Sequence, residues 1–136
     1  MYSALNQSNY LFQKDYITTN NEELYKDLMA LLVRVSNLRN TPQISKDTDV
    51  EYLKKDIVSV MTIVLRAGRE KAGAEDFSLE VDYSEALEYM DRCRIWISLL
   101  LETKAISKYI HFQLSRMADS IYCRLSDSSV QKTTLI

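Results

Sequence analysis

Apolar residues recur along the chain with the period of a helix, in four separate runs. Leu24, Leu28, Leu31, Leu32, Val35 and Leu38 form the first stripe. An Asn N-cap at Asn20 or Asn21, followed by Glu22 and Glu23, suits its positive end, and Asn40-Thr41-Pro42 stops it. The second stripe is Val50, Leu53, Ile57, Val60, Val64 and Ala67. Thr48-Asp49-Val50-Glu51 reads as a capping box at its start, and Gly73 as its terminator. Asp82 predicts the cap of a third helix with the stripe Ala86, Met90, Cys93, Ile97 and Leu100, widened by Leu87, Trp96 and Leu101. Ser107 predicts the cap of a fourth, with Ile110, Leu114, Met117, Ile121 and Leu125, fading at Ser126-Asp127-Ser128-Ser129. Joints this short make an all-α, antiparallel up-down four-helix bundle the default architecture.

The flanks read differently. Residues 1–20 are rich in Tyr, Asn and Gln without sustained period, and predict an irregular N-terminal arm. The bundle proper is assigned to residues 21–127 and a flexible tail to 128–136. Residues 74–81 predict an acidic loop that tucks in Phe77 or Leu79.

Composition sharpens this picture. Only 2 Gly and 1 Pro occur in 136 residues, where average usage would give roughly 9 and about 7. That shortage disfavours sandwiches, barrels and Gly-rich phosphate-binding folds. Pro42 and Gly73 fall at joints; Gly68 lies inside the second helix, either for a close helix contact or simply tolerated at the surface. The net charge of −2 lacks the basic excess usual for a nucleic-acid-binding domain. Charge is unevenly spread: residues 75–91 hold seven acidic residues and no Lys or Arg, whereas Lys104, Lys108, Arg116, Arg124 and Lys132 make the last third mildly basic.

Candidate chemistry is sparse. His111 is the only histidine, and no nucleophile-bearing turn stands before it. No Glu-x-x-His occurs for a di-metal bundle site, and Asp56, Glu88 and Asp91 read as a solvated face. No catalytic, cofactor-binding or metal residues are assigned, and no small-molecule substrate. Cys93 and Cys123 lie 30 residues apart near apolar positions, which predicts packing as reduced thiols. The first 20 residues lack a signal-peptide pattern and no apolar run is long enough for a bilayer, so the expected address is cytoplasmic, off the membrane. The 9 Tyr and single Trp, set among arginines, suit protein interfaces. Tyr89, Trp96, Tyr109 and Tyr122 are the candidate interface aromatics. Arg66, Arg69, Arg92, Arg94, Arg116 and Arg124 are the candidate contacts for nucleic acid or a partner.

The third and fourth helices, from Tyr83-Ser-Glu-Ala-Leu-Glu-Tyr-Met-Asp-Arg-Cys-Arg-Ile-Trp-Ile through Ile106-Ser107 to Tyr122, carry a family likeness. Ile97, Leu100, Leu101, Ile106, Ser107, Tyr109, Leu114, Met117 and Ile121 are the positions that correspond to the pattern of a helix leading into Ile-Ser, followed by a fourth helix that opens on Tyr and carries spaced apolar residues. The stretch, with residues 50–67, resembles the four-helix-bundle family of the 23S rRNA intervening-sequence proteins. Within it, the chain looks most like the Avd accessory proteins of diversity-generating retroelements. Ala118-Asp119 and Tyr122-Cys123 stand where many members carry Gly-Arg and Gly-Trp. The resemblance implies a non-enzymatic homo-oligomer, a pentamer, that binds a reverse transcriptase and its template RNA and supports mutagenic cDNA synthesis. The alternative is a small cytoplasmic protein-binding bundle of the immunity or scaffold type, with no nucleic-acid role. It would hold its partner through the acidic patch near 75–91.

Overall fold

The computed structural model describes residues 19–40, 48–73 and 82–134. They form four helices: α1 (Thr19–Ser36), extended by a 3-10 turn at Asn37–Asn40, α2 (Thr48–Gly73), α3 (Ser84–Glu102) and α4 (Lys108–Thr134). Each packs on its neighbour in sequence, and α1 closes the square against α4. Cross-helix contacts set the directions. Arg34, late in α1, reaches Gln113, early in α4. Arg124, late in α4, pairs with Glu23 and Asp27, early in α1. Asn21 and Tyr83, both at helix starts, meet across the diagonal. The architecture is thus an antiparallel up-down four-helix bundle. The expected arm at 1–20 lies outside the described residues but for its last two, which are helical, and the acidic loop at 74–81 lies outside them entirely.

The stripes meet in one core. Leu24, Leu28, Leu31 and Val35 face Leu53, Ile57, Val60 and Val64, with Met90, Ile97, Leu100, Leu114, Ile121 and Leu125 completing it. Burying each such side chain stabilises the fold by roughly 1.5–3 kcal/mol. Gly68 is buried beside Ala67, so α2 there presents almost no side-chain volume and a neighbouring helix can approach its backbone.

Several boundaries differ from the sequence pattern. Helix α1 begins at Thr19, so Asn21 sits inside its first turn. Its side chain faces inward to Tyr83 instead of capping the helix. The N-cap of α3 is Tyr83, not Asp82. Asp82 still serves the helix start, because its Oδ1 accepts from the Ser84 amide at 2.9 Å and the Ser84 hydroxyl at 2.6 Å. Helix α4 continues through Ser126–Ser129 to Thr134, past the point where it was expected to fade. There the Ser128 hydroxyl donates back to the Arg124 carbonyl, a bond that lets serine remain helical. Ser107 caps α4 as the pattern predicts, its Oγ accepting from the Ile110 amide at 3.2 Å. Cys93 is buried, but Cys123 is exposed, on the outer side of α4.

The α3–α4 joint holds a backbone feature that no glycine marks. Helix α3 ends with the Lys104 amide on the Leu101 carbonyl (3.0 Å) and the Ala105 amide on the Leu100 carbonyl (2.9 Å). That is the Schellman pattern, which needs a left-handed residue. Lys104 fills the position with φ 62°, where a side chain is sterically disfavoured and glycine is not. Lys104→Gly is therefore expected to raise stability by about 1 kcal/mol. An unchanged or lower urea midpoint would contradict this.

Candidate functional site

Polar and aromatic side chains gather along the seams between helices. The densest group lies between α2 and α3. Asp56 follows Leu53 by three residues and precedes Val60 by four, which puts it at the edge of the core stripe. It is 8% exposed, not on the solvated face that its charge suggests. The indole Nε1 of Trp96 donates to Asp56 Oδ2 at 2.8 Å. Arg92 Nη2 lies 3.3 Å from Asp56 Oδ1. Tyr52 stacks on Trp96 with ring centroids 5.4 Å apart and 19° between planes. The Arg92 guanidinium lies 4.4 Å over the Tyr89 ring. A carboxylate in the seam thus fixes one arginine and the only tryptophan, and each of those braces a tyrosine.

The α3–α4 seam repeats the device. Arg94 donates from Nε to Asp119 Oδ1 at 3.0 Å and reaches it again through Nη2 at 2.9 Å. It also pairs with Asp91 at 3.4 Å and lies 4.4 Å over Tyr122. Along the α1–α4 seam, Arg124 bridges Glu23 (3.3 Å) and Asp27 (3.0 Å). The Arg34 guanidinium donates to Gln113, whose amide donates to the Tyr109 hydroxyl at 2.9 Å. An open cleft of about 320 Å³ on this seam is lined by Asp27, Ala30, Arg116, Met117, Ser120 and Arg124.

The six candidate arginines therefore divide. Arg92, Arg94 and Arg124 are held by carboxylates of this same chain. Arg66, Arg69 and Arg116 are exposed and make no ion pair among the described residues. Arg116 rests 5.7 Å from the Phe112 ring centroid. The six are not one basic surface. Of the candidate aromatics, Tyr89, Trp96 and Tyr122 are half-buried and braced by these contacts, and Tyr109 is exposed. The pattern of the sequence does not single out Tyr52, and it places Asp56 on a solvated face, whereas the structure buries it. The spacing of Asp56 between Leu53 and Val60 is the signal that would find it.

Two buried groups stand inside the bundle. Tyr83 is 2% exposed, and its hydroxyl donates to Asn21 Oδ1 at 2.8 Å. Burial pushes its phenol up to about 12, the Asn21 bond opposing weakly. Burial, and next the negative charge of Asp56, push the Cys93 thiol up to about 12, which keeps it an unreactive thiol. His111 is half-buried on α4, its Nε2 3.4 Å from the Ser115 hydroxyl. Among the described residues no three His, Cys, Asp or Glu side chains are grouped to hold a metal. No described helix is long and apolar enough to cross a membrane. Comparison with family models, with curated proteins and with solved structures gave no match.

Proposed function

We propose that this chain is a non-enzymatic, self-associating adapter that works by protein–protein contact through its helix seams. The observation that carries the reading is the braced surface of Tyr52, Tyr89, Arg92 and Trp96 in the α2–α3 seam, with Arg94 and Tyr122 braced in the same way in the α3–α4 seam. Tryptophan, tyrosine and arginine dominate the binding energy of protein interfaces. Side chains already held in one rotamer lose less entropy when a partner arrives. Val33, Val58, Ile95 and Phe112 add large apolar side chains, one exposed on each helix. The resemblance to the Avd proteins supports homo-oligomer formation, with a reverse transcriptase and its template RNA as partners.

RNA contact in this reading falls to Arg66, Arg69 and Arg116, since the other three candidates are neutralised within the chain. A titration with single-stranded RNA across salt tests that part. The expected result is binding that weakens steeply with salt and is lost when these three become alanine. No binding at low salt would remove RNA from the reading and leave a protein-only adapter of the scaffold type.

A further inference from the structure

We infer that the buried Asn21–Tyr83 pair is the register key of the bundle: it gives up stability to hold α1 at one height against the other three helices. The inference goes beyond the adapter reading and stands without it. Both residues are 2% exposed, and they meet across the core from the starts of α1 and α3. The Tyr83 hydroxyl donates to Asn21 Oδ1 at 2.8 Å. Asn21 Nδ2 is buried as well and has no hydrogen-bond partner among the described residues. An apolar pair of similar shape would strand no donor, so one bond with one orphan is a poor way to stabilise a core.

The apolar core alone does not fix the height of α1. Its buried hydrophobic side chains are Leu24, Leu28, Leu31, Val35 and Leu38. Moved by one heptad, Leu31 takes the place of Leu24, Val35 that of Leu28 and Leu38 that of Leu31, and each of these positions stays aliphatic. The same move sets Leu28 against Tyr83 in place of Asn21. The phenol then keeps its burial and loses its acceptor, which is costly inside a core. Other contacts mark the height of α1 more weakly. Arg124 meets Glu23 and Asp27 through side chains that are all partly exposed, and such pairs contribute little. Arg34 and Gln113 are half-buried and rotatable. Asp56, the other buried polar residue among those described, ties α2 to α3 and leaves α1 free to slide.

The experiment reads the height of α1 directly. One nitroxide goes on Cys123, which is exposed, and a second on the exposed position 26 through Lys26→Cys; Cys93 is buried and stays unlabelled. The two labels flank the Asp27–Arg124 contact, so they lie at one level of the bundle. The labelled full chain is diluted in excess unlabelled chain, so that pulsed EPR reads distances within one chain. The expected result with Asn21 and Tyr83 intact is one narrow distance. Tyr83→Phe deletes a single oxygen and removes the cost of the slip. A second distance, from an axial shift of roughly 10 Å for seven residues, should then appear in about a tenth of the chains or more. Asn21→Leu combined with Tyr83→Phe should show the same second distance with a urea midpoint at or above that of the wild-type pair. Circular dichroism checks that both variants stay helical. A single unchanged distance in either variant, or a midpoint of the double variant well below wild type, would overturn the inference.

Discussion

Asp56→Ala is expected to destabilise the bundle by about 2–3 kcal/mol, although it deletes a charge from a helix seam. Aspartate at this position accepts the Trp96 indole and the Arg92 guanidinium together. Its loss leaves a half-buried indole N–H without a partner and removes the anchor of Arg92. Arg92 is half exposed, so water recovers much of its side of the pair, and the expected loss lies below that of a fully buried ion pair. Asp56→Asn keeps an acceptor for the indole and should lose only about 1 kcal/mol. Urea unfolding followed by Trp96 emission checks both values. Equal midpoints for Asp56→Ala and wild type would mean that the network contributes nothing. A double-mutant cycle with Trp96→Phe, all four chains followed by circular dichroism because Trp96 is the only tryptophan, isolates the indole contribution, which should account for the larger share.

The second large effect is loss of stability at high pH. Tyr83 and Cys93 are buried in neutral form, each pushed up to about 12 by burial. In the unfolded chain they ionise at their ordinary values, 10.0 and 9.0. Between those values and 12 the unfolded state holds fewer protons than the native state. Stability therefore falls as pH rises, and the contribution is complete below pH 9. The two groups together should remove on the order of 6 kcal/mol by pH 12. Urea midpoints measured between pH 8 and about 11.5 should slope downward, and Cys93→Ala should flatten the lower part of that slope. A flat profile in the wild-type chain would contradict the burial of both groups.

How much of this was legible beforehand follows from what each residue depends on. The stripes through Leu24, Leu53, Ile97 and Leu114 were readable because burial on one helix face is written in spacing along a single segment. Ser107 was readable because an N-cap depends only on its own next three residues. Asp56 was not, because a carboxylate at a seam looks like one on a solvated face until Trp96 arrives from another helix. Tyr83 was missed because its burial depends on Asn21, 62 residues away. Lys104 was missed because its left-handed backbone is imposed by the following joint, not by its own preference. The arginines were identified as candidates, but their carboxylate partners sit on other helices: Asp56 for Arg92, Asp119 for Arg94, and Glu23 and Asp27 for Arg124. Those pairings turn three potential contacts for an external anion into internal braces, and shift the weight of the proposal from phosphate toward protein.

In the proposed reading the chain associates with itself through the outer side chains that its core does not use. Light scattering on the eluting peak of a size-exclusion column measures this directly. The expected mass is a whole multiple of 15.8 kDa, five-fold if the resemblance to the Avd proteins extends to assembly. A shift toward the single-chain mass is expected when Ile95 and Phe112 are both replaced by glutamate. A wild-type peak at 15.8 kDa at every concentration tested would contradict this reading.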